Sequence, residues 1–181
     1  MGKGGEHKKK NIIELTHCSV KEYREKEKLP VCVLLDNVRS MYNVGAIFRT
    51  ADAFLIDEVI LTGITGCPPH PEITKTALGA EESVRWKYEK DPFTELENKR
   101  KEGWKICVLE QAYGSISLQD FIADSKERYV LVAGNEVSGV QQNIVDIADI
   151  ILEIPQCGVK HSLNVSVSTG IALWELVKNM I

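Results

Sequence analysis

The stretch LDNVRSMYNVGAIFRTADAF, residues 35–54, decides the fold, because it runs from the end of an apolar strand directly into a helix. Apolar residues at i, i+3, i+4 and i+7 spacing predict a helix over residues 43–55 with one buried face. That apolar stripe consists of Val44, Ile47, Phe48, Ala51, Phe54 and Leu55. Opposite it lie Gly45, Arg49 and Asp52, and the small residues on this side favour close approach by another backbone. The helical wheel alone places Arg49 on the solvated face.

The rest of the chain alternates between short β-rich runs and helical patterns. We predict strands at residues 31–35, 58–62, 84–88, 105–110, 129–134 and 150–155. We predict further helices at residues 18–30, 92–102, 138–148 and 163–180, the first of them highly charged and stopped by Pro30. Near-continuous apolar strands separated by helices indicate an α/β fold, with a mostly parallel sheet that helices cover on both faces.

Composition narrows the class of protein. The 181 residues suffice for one domain, and an apolar content of 44% suffices for a core. A formal net charge of −4 argues against a surface that binds nucleic acid everywhere, although lysines crowd the first ten positions. The five cysteines form no C-x-x-C pair, so neither a disulfide framework nor a metal site is predicted. No apolar run has the length of a membrane span or a signal peptide, and we expect a cytoplasmic protein.

Three loops hold most of the glycines, asparagines and isolated charges of the chain. They follow predicted strands and read DNVRSMYN (36–43), GNEVSG (134–139) and PQCGVKHS (155–162). Sheets of this class bind their ligands at the carboxyl ends of the strands. We therefore expect the three loops to form the functional site.

The polar residues of these loops also suit structural roles. Asn43 is a good N-cap for the helix that follows it, and Ser162 or Asn164 suits the N-cap of the last helix. Glu136 suits the positive amino end of the helix that follows its own loop. The residue pattern alone leaves these roles open beside direct contact with a ligand.

Three segments taken together resemble a known family. NVGAIFRTADAF (43–54), VAGNEVSGV (132–140) and IPQCGVKHSLNVSVSTGIALWE (154–175) are similar, in order and spacing, to the signature motifs of the SpoU-type (TrmH-like) RNA 2′-O-ribose methyltransferases of the SPOUT superfamily. KTALGAEE (75–82) is similar to a further segment of these enzymes. The resemblance covers residues 30–181. It implies an α/β fold with a C-terminal deep trefoil knot, S-adenosyl-L-methionine as cofactor, and a homodimer whose active site is completed at the subunit interface.

The resemblance also implies roles for particular residues. Arg49 matches the family's catalytic arginine, and the other positions that match active-site residues are Asn43, Glu136, Ser162 and Asn164. The positions that match cofactor contacts are Gly134, Asn135, Glu136, Ile154, Leu163, Asn164 and Ser166. A guanidinium is a poor base because it stays protonated, so we interpret the role of Arg49 as electrostatic: it grips phosphate and stabilises a developing alkoxide.

The chain departs from the family pattern before Asn43, where Ser40, Met41 and Tyr42 replace residues such as Asp-Pro-His. It also has only a charged tail and helix, residues 1–30, ahead of the methyltransferase domain at 31–181, and the lysines of that tail would supplement affinity for RNA phosphates.

The expected function is transfer of a methyl group to a ribose 2′-hydroxyl of RNA, with transfer RNA favoured as substrate over ribosomal RNA. Ribosomal RNA and a non-catalytic RNA-binding role remain as alternatives. A base methyltransferase of a related knotted family is disfavoured by the arginine of GAIFRTA and by SLNVS. A dinucleotide-binding enzyme is disfavoured because the turn after the first strand lacks G-x-G-x-x-G.

Overall fold

A computed structural model describes residues 8–11 and 18–181. Within this part of the chain, the strands are β1 (Leu29–Asp36), β2 (Ile56–Thr62), β3 (Trp86–Glu89), β4 (Trp104–Leu109), β5 (Ile116–Ser117), β6 (Arg128–Ala133) and β7 (Ile150–Glu153). They form one sheet in the order β3-β2-β1-β6-β4-β7-β5. Every neighbouring pair is parallel, which confirms the predicted parallel sheet.

Helices cover both faces of this sheet, as predicted. They are α1 (Val20–Glu25), α2 (Met41–Ala53), α3 (Pro71–Ala77), α4 (Ala80–Ser83), α5 (Pro92–Lys101), α6 (Gln142–Asp146) and α7 (Val165–Val177), with a 3₁₀ turn at Leu118–Asp120. Side chains that alternate along β1 enter two separate cores: Val33 packs under α2 and α7, whereas Leu34 packs on the face that α5 and α6 cover. The sheet is therefore buried on both sides, and its loops are left to carry the polar chemistry.

Helix α2 begins two residues earlier than the apolar stripe predicts. The side chain of Ser40 is its N-cap and accepts a hydrogen bond from the N–H of Asn43, so Asn43 is not the cap. Val44, Ile47, Phe48 and Ala51 are buried as expected, and the helix ends at Ala53. The side chain of Asn43 is consequently available for other contacts.

Gly45 explains the small residues opposite the apolar stripe. A Cβ at Gly45 would lie 2.1 Å from Thr76 Oγ1 and 2.3 Å from the carbonyl oxygen of Ile73, both in α3. The close neighbour of this part of α2 is therefore α3 of the same chain.

Several sequence predictions need correction in extent. The charged helix predicted at 18–30 ends at Glu25, because residues from Leu29 onward pair in β1. The helix predicted at 138–148 shortens to α6, since Gly139 has φ +68° in the preceding loop. Helices α3 and α4 and strand β5 were not predicted. Of the basic tail, residues 1–7 lie outside the described part, and residues 8–11 are exposed.

For residues 8–11 and 18–181, the structure can be compared with the expectations about membrane spans and metal sites. None of the helices there has the length and apolar character that crossing a bilayer requires. No group of three or more histidine, cysteine, aspartate or glutamate side chains in that part is arranged to hold a metal ion. All five cysteines are free thiols.

Substitution of Gly45 tests the close packing of α2 against α3. We expect Gly45→Ala to lower the free energy of unfolding by about 1–3 kcal/mol, because the new methyl group meets backbone that must shift. Gly170→Ala in α7 is the matched control: its Cβ meets only Thr50 Cγ2, at 3.8 Å, so the substitution should stabilise the protein by about 0.5–1 kcal/mol. Denaturant unfolding measures both, and equal effects of the two variants would contradict the packing described.

Candidate active site

A cavity of about 1060 Å³ opens at the carboxyl ends of β4, β6 and β7. The loops that follow these strands form its walls, and the first residues of α7 close one side. Seven residues named from the sequence line it: Gly134, Asn135, Glu136, Ile154, Ser162, Leu163 and Asn164. The parallel sheet thus brings together two of the three predicted loops in one concave site.

Glu136 joins the loop after β6 to the start of α2. Its Oε2 accepts a hydrogen bond from the Arg39 N–H at 3.0 Å, and its Oε1 accepts from the Ser40 N–H at 3.0 Å. Oε1 also accepts from Asn43 Nδ2 at 3.0 Å. The partner of this carboxylate is therefore the amino end of α2, and not the helix that follows its own loop.

These contacts set the ionisation of Glu136. Partial burial alone would raise the pKa of its carboxyl, but the hydrogen bonds outweigh burial and lower the pKa below its ordinary value. The donors are the Arg39 N–H, the N–H of Glu136 itself, the Asn43 amide and the Ser40 N–H. The carboxylate is charged at neutral pH, next to the positive end of a helix.

A second hydrogen bond extends this contact to the third loop. Asn164 Nδ2 donates to Asn43 Oδ1 at 3.1 Å. Asn164 is also the N-cap of α7, because its Oδ1 accepts from the N–H groups of Ser166 and Val167. The chain Glu136–Asn43–Asn164 therefore links all three predicted motifs, and the cap and the contact between motifs use different atoms of one side chain.

The loop after β6 has little freedom. Asn135 and Gly139 exchange two backbone hydrogen bonds, and a Cβ at Gly134 would lie 2.3 Å from the backbone of Gly139. The side chain of Asn135 accepts from the N–H groups of Val137 and Ser138 and donates to the Asn37 carbonyl oxygen. Gly134 and Asn135 thus have structural tasks, in addition to lining the cavity.

Two carboxylates at the site were missed by the sequence analysis. Asp36, fully buried at the end of β1, accepts from the N–H and the Nε2 of Gln141. Glu110, directly after β4, accepts from the N–H of Val140 at 2.9 Å. Each is an acidic residue at the carboxyl end of an apolar strand, and that position was the available signal.

In the single chain, Arg49 lies outside the cavity at the carboxyl ends of the strands. Its side chain is exposed and lines a second cavity, of about 730 Å³, together with Tyr23, Lys26 and Asp52. It is not among the residues that line the cavity at the carboxyl ends of the strands. Ser166 is also outside that lining, and its hydroxyl donates to Asn164 Oδ1 at 2.7 Å.

Comparison with known proteins agrees with the family resemblance of the three motifs. The model of the SpoU rRNA Methylase family matches residues 30–174. The chain is 33% identical to the tRNA (guanosine(18)-2′-O)-methyltransferase of Aquifex aeolicus, over 91% of this chain and 76% of that protein. It is 31% identical to the 23S rRNA (guanosine-2′-O-)-methyltransferase RlmB of Pseudomonas putida, over 84% of this chain but only 60% of that enzyme.

Solved structures agree with the sequence relatives. The TrmH/SpoU tRNA modifying enzyme of A. aeolicus superposes with a TM-score of 0.78 at 30% identity, over 89% of this chain and 82% of that one. The AdoMet-bound rRNA methyltransferase of Sinorhizobium meliloti superposes with a TM-score of 0.79 at 27% identity, over 92% of this chain and 62% of that one. The motif residues described above all lie inside the matched region.

Substitution of Glu136 tests the link between the loops. We expect Glu136→Gln to cost about 1 kcal/mol of unfolding free energy at neutral pH, because a neutral amide cannot accept all three hydrogen bonds. Since the folded-state pKa is lowered, the carboxylate stabilises the fold above its unfolded-state pKa, and this stabilisation is lost as the pH falls through the folded-state value.

The difference between wild type and Glu136→Gln should therefore be largest near neutral pH and disappear in acid. Urea unfolding at a series of pH values measures it. Glu25→Gln, at an exposed position of α1, is the matched control for removal of a glutamate carboxyl. A difference that is constant over the whole pH range would contradict the role given to the carboxylate.

Proposed function

The chain belongs to the SpoU rRNA methylase family, and we propose that it transfers a methyl group from S-adenosyl-L-methionine to a ribose 2′-hydroxyl of RNA. The observation that carries this proposal is the Glu136–Asn43–Asn164 chain, which fixes three family motifs around one cavity. A binding protein of the same fold would need the cavity walls but not this alignment of polar side chains.

The cavity suits a cofactor of this size and chemistry. Its volume of about 1060 Å³ is at the upper end of small-molecule sites, and its walls combine apolar side chains with exposed backbone groups and a few polar ones. When bound, S-adenosyl-L-methionine supplies an electrophilic methyl group on a sulfonium. The residues that would hold it are Gly134, Asn135, Ile154, Leu163 and Asn164.

The remaining residues align and polarise the ribose. Asn43 and Asn164 are fixed by their mutual hydrogen bond, so their amides would orient the ribose without loss of further side-chain freedom. Ser162 lies on the cavity wall as a short donor and acceptor. Arg49 would place a permanent positive charge beside the 2′-oxygen as its proton leaves, and Glu136 would hold the guanidinium in place.

Arg49 requires a second copy of the chain to reach the cavity at the carboxyl ends of the strands. Helix α7 exposes an apolar stripe at helical spacing, formed by Val167, Ile171 and Trp174. Trp174 and Phe54 lie with ring centroids 5.9 Å apart, so the stripe is continuous with the outer end of α2, where Arg49 lies. In the proposed homodimer this face pairs with its copy, and Arg49 completes the active site of the other protomer.

We also propose the deep trefoil knot of the family. What supports it is the path of the chain: β7 lies between β4 and β5 in the sheet, yet α7 returns to pack on α2, β1 and β6. Helix α7 also contacts the 3₁₀ turn in the connection from β5 to β6. The segment after β7 would therefore pass through the loop that residues 110–128 form.

The substrate proposed is transfer RNA. What supports this is the similarity to the tRNA-modifying relative from A. aeolicus, at 33% identity over 76% of that protein, against 31% over 60% for the ribosomal RNA enzyme from P. putida. We retain residues 1–30 as an accessory segment and 31–181 as the catalytic domain, although Tyr23 of α1 joins the main core. Transfer RNA and the free thiols are both consistent with a cytoplasmic enzyme.

Methyl transfer is tested by incubating the protein with labelled S-adenosyl-L-methionine and RNA, followed by digestion to nucleosides. We expect label on ribose; label on bases alone would refute the assignment, and RNA binding without label would favour the non-catalytic alternative. Arg49→Ala should bind the cofactor as wild type does but lose at least about a hundredfold in turnover, because charge stabilisation is lost. The control Arg85→Ala removes an exposed arginine paired with Asp57 and should retain activity.

Mixed dimers test whether two protomers share one active site. Asn164→Asp keeps the capping oxygen of α7 but loses the donor to Asn43, so we expect it to be inactive and folded. Mixing it with Arg49→Ala after unfolding and refolding should restore about a quarter of wild-type activity, because random pairing makes half of the dimers mixed and each has one intact site. No recovery in demonstrably mixed dimers would mean that each protomer uses its own Arg49.

A further inference from the structure

Tyr42 is an exposed aromatic residue in the first turn of α2, next in sequence to the active-site Asn43. Its relative exposure is 43%, whereas Phe48, the other aromatic residue of α2, is fully buried. It stands in the segment where this chain departs from the family pattern. Neither the fold nor the proposed methyl transfer gives its ring a task.

Contacts with α3 hold the backbone that carries the Tyr42 ring. The carbonyl oxygen of Tyr42 accepts a hydrogen bond from Thr76 Oγ1 at 2.9 Å, and the close approach of α3 at Gly45 fixes the two helices together. Lys75 Nζ lies 5.7 Å from the centroid of the Tyr42 ring, within the range of a cation–π contact. An exposed ring on rigid backbone loses little entropy when a flat ligand stacks on it.

The charges around this ring favour an anionic partner. Lys75 lies beside it, and Arg39, in the loop that leads into α2, is exposed. Glu136 stays charged, but its two oxygens face the amino end of α2, from which they accept three hydrogen bonds. Glu72, in the first turn of α3, is the acidic side chain of the same helix as Lys75.

We propose that Tyr42 is a stacking platform for an unpaired base of the RNA substrate next to the methylated nucleotide, with Lys75 and Arg39 on the adjoining phosphates. This inference rests on the proposed function and adds a substrate-positioning residue to it. Aromatic side chains flanked by cations bind single-stranded RNA in this way, because every base offers a flat face for stacking. Tyr42 and Asn43 both lie in the first turn of α2, so a base on this ring would lie at the same end of the helix as the Glu136–Asn43–Asn164 chain.

The position of Tyr42 on α2 argues against a role of its ring in the proposed contact between protomers. The exposed apolar stripe on α7 is formed by side chains that continue to Phe54, at the far end of α2. Tyr42 lies at the opposite end of α2, and its neighbours are the polar residues of α3. A single aromatic ring among cations suits a base and its phosphates better than an apolar protein face.

The test compares Tyr42→Ala with Tyr42→Phe in binding to an unmodified transfer RNA transcript. The dissociation constant is measured directly, with S-adenosylhomocysteine present, so the result does not depend on turnover. We expect Tyr42→Ala to raise the dissociation constant about tenfold, the loss of one stacked base, and Tyr42→Phe to remain within about twofold of wild type. Affinity for the cofactor should be unchanged in both variants.

A salt titration with Lys75→Ala tests the phosphate contact. The slope of log affinity against log salt should fall by about one unit relative to wild type, whereas Tyr42→Ala should leave the slope unchanged. Unchanged RNA affinity in Tyr42→Ala, or an equal loss in Tyr42→Phe, would overturn the stacking role. If wild type methylates no RNA but the two variants differ as stated, the proposed function fails and the RNA platform stands.

Discussion

The carboxylate of Glu136 is the interaction on which the site depends. It receives two backbone N–H groups at the start of α2 and the amide of Asn43, and so joins segments that are almost a hundred residues apart in sequence. A charged acceptor at the amino end of a helix is stabilised by the helix dipole as well as by its hydrogen bonds. Without it, the Asn43 side chain would be held to the cavity wall only by its hydrogen bond from Asn164.

The parallel sheet determines which loops can meet, and acidic residues then fix them to one another. β1, β6, β4 and β7 are adjacent, so their carboxyl ends share one edge of the sheet. At that edge Asp36 holds Gln141, and Glu110 holds Val140, each through backbone N–H groups that would otherwise be unpaired. The residues that follow the loop after β6 are thus held to the ends of β1 and β4, as a site that works by alignment requires.

The sequence was sufficient to predict the α/β sheet and the helices α2, α5 and α7, because short apolar strands alternate with helical segments along the chain. It did not predict α3, although Pro71 at its first position is a recognisable start signal. Two-residue β5 has no pattern long enough to detect. The capping question at Asn43 was unresolved because Ser40 and Asn43 are both good caps, and only backbone geometry distinguishes them.

The placement of Arg49 relative to the cavity was the feature hardest to predict from the sequence, for a physical reason. A helical wheel describes one helix, and it correctly gives an exposed arginine, but it contains no information about a second chain. Helix α7 connects the two problems: its N-cap Asn164 holds Asn43 in place, and its outer stripe is the apolar face left uncovered in the single chain. A partner that covers the stripe would contact the same helix whose N-cap side chain, Asn164, holds Asn43. In the proposed homodimer, association would therefore add the second protomer's Arg49 to a site whose other polar residues are already aligned in the single chain.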